Sequence, residues 1–284
     1  MRVIKKIKKL RNQLRKLHLS PVGLVPTMGA LHMGHISLVE SAVSGCPVVV
    51  VSIYVNPAQF NDSKDLENYP RTVEDDVDLL CRALRKNDIV FIPDDSEIYP
   101  GEDNRVFRFG NLDNVMEAVH RPGHFNGVAR VVSRLFEIVD PDIAYFGLKD
   151  FQQVAVVKSL VAQTGSRVRI EAGPTVREHD GLAMSSRNRL LGPEIRRNAG
   201  VIFTALSEAA KMVRDHPVDK IRDHIIKKIG DLPGFSVEYF EIVDDTELVP
   251  VTGTVEMQAG KRYFGCIAVK AGNVRLIDNI EIPL

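Results

Sequence analysis

The chain has no tryptophan, only three cysteines in 284 residues, and no net charge, 37 Lys plus Arg standing against 37 Asp plus Glu. Each scarcity removes a class of protein. Cys46, Cys81 and Cys266 are far apart and form no C-x-x-C pair, so neither a disulfide framework nor a thiolate metal site is on offer. They are expected to be small core residues of a protein kept in a reducing cytoplasm. The balanced charge gives no electrostatic reason for nonspecific binding to nucleic acid or an anionic membrane. No run approaches the ~20 apolar residues of a membrane span, and no basic-then-apolar start resembles an export signal. Three catalytic signatures are also missing: the G-x-x-x-x-G-K-[ST] phosphate loop, the G-x-S-x-G elbow of serine hydrolases, and any His/Cys or His/Glu spacing that suits zinc.

What is present is a 44% apolar chain, long enough for one large and one smaller domain. Residues 2–17 carry eight Lys or Arg, yet Ile4, Ile7, Leu10, Leu14 and Leu17 share one helical face, so the stretch reads as a solvated amphipathic helix. Strand and helix then alternate. Val22–Val25 reads as a strand, Ile36–Ser44 as a helix, and the β-branched run Pro47–Val55 as a strand buried on both faces. Val73–Lys86 reads as a helix, Asp88–Pro93 as a strand, Val128–Val139 as a helix, Ile143–Phe146 as a strand, Gln152–Gln163 as a helix and Val168–Ala172 as a strand. This alternation predicts an α/β, Rossmann-like, doubly wound parallel sheet with its ligand at the carboxyl ends of the strands. After the polar loop 173–192 the pattern changes. Helices at Pro193–Arg214 and Val218–Ile229 and short alternating runs at Val237–Val243, Tyr263–Val269 and Val274–Ile277 predict a second, smaller α+β domain. The expected division is residues 1–175 for the parallel-sheet domain and 176–284 for the smaller C-terminal one.

The stretch Pro26-Thr27-Met28-Gly29-Ala30-Leu31-His32-Met33-Gly34-His35 lies where the first strand turns into its helix. A glycine-bearing turn, the free N–H groups of a helix start and two histidines suit phosphate. They equally suit a plain strand-to-helix turn, and the motif alone does not decide. Polar clusters recur at later strand ends. Asn56 and Gln59 offer carboxamides. Thr72 can cap a helix whose first turn holds Asp75 and Asp76, two carboxylates that could instead meet Mg²⁺ on nucleotide phosphates. Arg121–Gly127 forms a cationic, glycine-bearing loop that suits a carboxylate, a phosphate or a helix entry. Gly147 leaves room for a ligand, Lys149 supplies a point charge, and Met184-Ser185-Ser186-Arg187 brings hydroxyls and a guanidinium.

These segments, in this order, resemble the pantothenate synthetase family of the nucleotidylyltransferase superfamily, which also contains the class I aminoacyl-tRNA synthetases. The resemblance rests on His32-Met33-Gly34-His35, Pro26–His32, Val55–Phe60, Tyr69–Thr72, Arg121–Phe125, Phe146–Gln153 and Asp180–Asn188, and extends to Leu276-Ile277-Asp278-Asn279. It implies ATP-dependent condensation of pantoate with β-alanine to pantothenate, AMP and pyrophosphate through a pantoyl adenylate, with Mg²⁺ accompanying ATP and with a homodimer as the usual assembly. It implies catalytic roles for His35, as proton donor, and for His32, Lys149 and Arg187. Met28, Gly29, Ala30, Leu31, His32, Met33, Gly34, His35, Gly147, Leu148, Lys149, Asp150, Val176, Met184, Ser185, Ser186 and Arg187 are expected around ATP. Gln59 and Gln153 are expected on pantoate, and Asp75 or Asp76 on Mg²⁺. Leu148, Ala118 and Asn126 stand where an acid, a glycine and an arginine are more frequent. The competing readings are transfer of AMP to a phosphate ester, which needs no paired glutamines, and a nucleotide-binding module without catalysis. A tRNA synthetase is disfavoured by the short chain and the lack of a basic RNA-binding appendage.

Overall fold

The computed structural model describes residues 1–252, 257, 258 and 260–283. The chain runs β1 (Arg2–Ile4), α1 (Ile7–Leu17), β2 (Val22–Thr27), α2 (Met33–Gly45), β3 (Val48–Ile53), α3 (Ser63–Asn68), α4 (Val73–Cys81), β4 (Ile89–Phe91), α5 (Asp95–Ile98), α6 (Glu117–His120), α7 (His124–Val139), β5 (Ile143–Gly147), α8 (Phe151–Thr164) and β6 (Arg169–Gly173). It continues through α9 (Pro193–Asn198), α10 (Val201–Met212), α11 (Val218–Gly230), β7 (Phe235–Asp244), β8 (Tyr263–Ala271) and β9 (Val274–Ile282). The first six strands form one sheet in the order β1-β4-β3-β2-β5-β6, all parallel, and the last three an antiparallel sheet in the order β7-β8-β9.

β3 explains the layering. All six of its residues are buried, and they alternate between faces: Val49 and Val51 pack with Val39 of α2 and Leu80 of α4, while Val50 packs on the other side with Leu10 of α1 and the apolar stripe of α7. A strand in a sheet covered on both faces needs a continuous apolar run. From β2 the chain builds outward through β3 and β4 on one side and through β5 and β6 on the other. The strand order therefore reverses between β2 and β5, the place where open α/β sheets form a crevice at their carboxyl ends. A second core joins α10, α11 and the small sheet. Phe151 at the start of α8 meets Phe264 of β8 with ring centroids 4.4 Å apart, so the small sheet also packs against the large unit.

Four expectations need correction. Residues 2–4 are not helical: Arg2, Val3 and Ile4 pair in parallel with Ile89, Val90 and Phe91, and α1 begins at Ile7, whose N–H is caught 2.7 Å away by Glu97. α4 ends at Cys81 rather than Lys86, because Asp88 draws the Arg85 amide and guanidinium into a turn. The helix expected at 193–214 is two helices. Their junction at Gly200 lies against the Asp180 carbonyl, which an added Cβ would meet at 2.6 Å. Cys46 and Cys266 are buried as expected, whereas Cys81 is exposed.

Candidate active site

Between the carboxyl ends of β2 and β5 lies a cleft of about 210 Å³. Its β2 rim begins at Thr27, whose hydroxyl donates to the Ser52 carbonyl (2.7 Å) and accepts from the Gly29 amide (3.2 Å). Gly29 and Ala30 then take positive φ, 79° and 48°. That conformation favours glycine, and a Cβ on Gly29 would stand 2.9 Å from the Asp76 carboxylate. Asp76 occupies this space for a reason: buried under the turn, it accepts from the amides of Ala30 (2.9 Å) and Leu31 (2.7 Å) and from the Thr72 hydroxyl (3.2 Å). Thr72 therefore serves Asp76 and makes no side-chain cap of α4.

The helix-start amides expected to cradle phosphate are thus largely engaged by the protein. Two histidines are part of that engagement. His32 Nδ1 accepts from the Gly34 amide (3.2 Å), and His35 Nδ1 accepts from the His32 amide (3.3 Å), a reciprocal capping box at the start of α2. A ring nitrogen that accepts from a backbone N–H carries no proton, so each neutral ring holds its proton on Nε2 as a donor. Gly34 makes the arrangement possible, since a Cβ there would meet the His32 ring at 2.9 Å. Burial lowers the His32 pKa to about 4, with Lys149 adding to the effect. Burial lowers that of His35 to about 3, with His32 adding to it. Both rings are neutral at physiological pH.

Lys149 faces them from the 3₁₀ turn Leu148–Asp150 that follows β5, with Nζ 3.3 Å from Asp150. Burial works against the charge of Asp150, but Lys149 and Arg187 outweigh it and hold this carboxyl below its usual range. On Gly147 an added Cβ would meet only Leu38, at 3.9 Å, so the side-chain space there belongs to the cleft. From the C-terminal part, the Ser185 hydroxyl accepts from the Arg187 amide (3.3 Å), and the Ser186 hydroxyl donates to the Ala30 carbonyl (2.8 Å), docking the loop on the β2 turn. Arg187 reaches Asp65 of α3 at 2.8 Å and lies over the Tyr69 ring.

The other end is less polar. Val128, Val131, Val132 and Leu135 of α7 form an apolar wall. Gln59 turns its amide nitrogen toward Met28 Sδ while Asn56 donates to its carbonyl oxygen (3.3 Å), and Gln153 lines the cleft from the first turn of α8. His124 Nδ1 donates to the Gln59 main-chain carbonyl (2.7 Å), and its Nε2 accepts from Arg121 (3.1 Å). Burial, aided by Arg121, lowers the His124 pKa to about 4.

Of the expected residues, Met28, His32, Gly34, His35, Gln59, Gly147, Lys149, Asp150, Gln153, Val176, Met184, Ser185, Ser186 and Arg187 line the cleft. Gly29, Ala30 and Leu31 shape the turn behind it, Met33 points outward at 52% exposure, and the Leu148 side chain packs into the core beside α8. Asp75 is exposed outside the cleft, and Asp76 is engaged by the turn. No group of three His, Cys, Asp or Glu able to hold an ion occurs among the described residues, while a magnesium ion carried on phosphate needs only one or two protein carboxylates. Residues not assigned from the sequence are Arg121, His124, Tyr69 and the α7 wall. The cationic loop at 121–127 was a signal for the first two. The wall repeats at helical spacing and is indistinguishable from core in the sequence.

A family model described as pantoate-beta-alanine ligase matches residues 2–281. The chain belongs to that family. It is 48% identical over 282 residues to pantothenate synthetase of Azobacteroides pseudotrichonymphae, covering 99% of each chain. It is 50% identical over 260 residues to that of Porphyromonas gingivalis, covering 92% of this chain and 91% of the relative. Among solved structures, pantothenate synthetase from Thermus thermophilus superposes with a TM-score of 0.91 at 41% identity, covering all of both chains. Pantoate-beta-alanine ligase from Francisella tularensis, solved in complex with beta-gamma ATP and beta-alanine, gives 0.78 at 33% identity over 99% of this chain and 97% of that one. The α/β sheet with its small antiparallel companion is thus the architecture of this ligase family.

Proposed function

We propose that the cleft at the β2/β5 switch point carries the family's reaction, joining pantoate to β-alanine with cleavage of ATP. The observation that supports this most is that one cleft joins two unlike ends. His32, His35, Lys149 and Arg187 make an anion-binding end. An aliphatic wall with two glutamines makes the other. Pantoate has the matching halves: a dimethyl-substituted carbon for Val128, Val131, Val132 and Leu135, and hydroxyls and a carboxylate for Gln59 and Gln153.

In this reading the pantoate carboxylate attacks the α-phosphorus of ATP and pyrophosphate leaves. The amine of β-alanine then attacks the acyl carbon and AMP leaves. The protein contributes position and electrostatics. His32 and His35, being neutral, donate Nε2–H hydrogen bonds to phosphate oxygens, so His35 acts as a hydrogen-bond donor and not as an acid that surrenders a cationic proton. Lys149 and Arg187 offset the charge that grows on the departing pyrophosphate. Arg121, the third cation of the lining, is assigned to a substrate carboxylate. Met28, Gly147, Val176, Met184, Ser185 and Ser186 border the nucleotide. ATP is expected to enter with Mg²⁺, which Asp75, the exposed carboxylate of the pair, would meet on the nucleotide phosphates, Asp76 being held by the turn amides; no step is assigned to the metal. A cytoplasmic homodimer, and a division at residue 175 into a substrate-binding unit and a lid, complete the proposal.

The test is pantoate-dependent exchange of pyrophosphate into ATP. Exchange is expected only with pantoate present, and exchange indifferent to pantoate would sink the assignment. Lys149→Ala should slow adenylation by about 10²- to 10³-fold without unfolding the protein, the usual cost of one preorganised electrostatic group.

A further inference from the structure

Asp278 and Asn279 of β9 lie outside the reacting residues, yet they touch both halves of the phosphate end. The Asn279 carboxamide nitrogen donates to two successive carbonyls of the lysine turn, Leu148 (2.8 Å) and Lys149 (3.0 Å). Asp278 takes the Arg177 guanidinium on both oxygens, at 2.6 and 3.0 Å. Arg177 also donates to the carbonyls of Asn279 (3.1 Å) and Gly181 (3.1 Å), and its neighbour Val176 lines the cleft. Arg177 pairs across a β-bridge with Ala183, directly before Met184. The two residues are linked to each other, since the Asn279 amide donates to Asp278 (2.7 Å). Both are almost fully buried, at 4% and 5% exposure.

A buried forked ion pair and a carboxamide that satisfies two carbonyls are rigid because every partner is directional and water is excluded. Lys149 is otherwise carried by a single 3₁₀ turn, and Arg187 by a loop; either could drift by an ångström, enough to cost about 10²-fold in rate.

We infer that Asp278 and Asn279 are positioning residues for adenylation. Asn279 fixes Lys149 through its main chain, Asp278 fixes the 176–187 loop through Arg177, and together they set the spacing of the two cations across the α-phosphate. This rests on the assignment of Lys149 above. The pair acts through the lysine and the arginine and touches no substrate.

The experiment is a double-mutant cycle on pantoate-dependent pyrophosphate exchange at pH 8, using the full chain. Asn279→Asp preserves shape but replaces the donor with a carboxylate facing two carbonyls. It should lower kcat by about 10- to 100-fold while changing the KM for pantoate less than about threefold. In a Lys149→Ala background the same substitution should change kcat less than about threefold, because the group it positions is gone. Arg177→Lys, which keeps charge but loses the fork, should reproduce the kcat loss when Lys149 is present. Equal losses from Asn279→Asp in both backgrounds, or a folded variant with unchanged kcat, would overturn the inference. If Asn279→Asp gives no cooperative melting transition, Asn279→Ser serves in the same cycle under the same criteria. A near-normal Lys149→Ala single variant would instead overturn the role of the lysine, so the two failures are distinguishable.

Discussion

His35 shows how a side chain acquires its role from its surroundings. Its Nδ1 is committed to a backbone amide and its ring is crowded by protein, so it refuses a proton until about pH 3, and His32 until about pH 4. The depressed values set a sign for stability. An unfolded chain takes up protons at these histidines below about pH 6.5, whereas the fold does not. The stabilisation is complete above that value and is lost progressively as the pH falls toward 4 and then 3. Thermal melts should therefore show acid destabilisation beginning near pH 6.5, reduced in a His35→Gln variant. Imidazole resonances of both rings should stay in the neutral form from pH 8 to 5. For catalysis, His35→Gln retains an N–H donor and should keep several-fold more adenylation activity than His35→Ala, which should lose about 10²-fold; equal losses would deny His35 a donor role. Beneath the histidines, Asp76→Asn sets an amide hydrogen against one of the two turn amides and should cost about 1.5–3 kcal/mol in stability, read as a denaturation midpoint.

At the level of elements, the tie between Arg187 and Asp65 joins the loop proposed to border the nucleotide to α3. Arg187 cannot give the same donors to Asp65 and to phosphate, so nucleotide must compete with the carboxylate. The pair is partly exposed and worth at most about 1 kcal/mol. Asp65→Asn should thus lower the KM for ATP by no more than about fivefold; a rise would mean that α3 must be held for ATP to bind. The elements also show what could be read without a structure. The valine run of β3 was legible because a doubly covered strand needs apolar residues at every position. The histidine turn, Lys149 and the Met184–Arg187 loop were legible because strand ends collect polar residues at a switch point. β1 was not: three residues carry too little period, and their apolar members fit the helical face of α1 equally well. The turn contacts of Asp76 were not legible, because an acid in the first turn of a helix satisfies the dipole rule whether it faces solvent, a metal or the amides of a turn 45 residues earlier. The α7 wall was hidden by its own regularity.

For the whole molecule, the irregular segment 105–109 presents one apolar side chain to solvent. Asn126 pairs with both the amide and the carbonyl of Phe107 on one side, at 2.8 and 3.0 Å, while Val106 is 70% exposed on the other. Contact of this segment with a second copy would cover Val106 in the proposed homodimer. Light scattering should report twice the chain mass, and Val106→Lys should shift the population to the monomer; a monomeric parent would remove the dimer from the proposal. A buried joint is a second whole-molecule feature. Arg275 of β9 holds Glu117 of α6 with both nitrogens at 2.7 Å, next to Arg121. The last strand thus secures both sides of the cleft, and this bears on how the protein is made. Asn279 follows Lys149 by 130 residues. A ribosome therefore exposes both histidines, the lysine and the whole parallel sheet long before the strand that steadies them. On this account a chain that has not yet added β9 holds the lysine and both histidines without the contacts that steady them, and should adenylate more slowly than one that has.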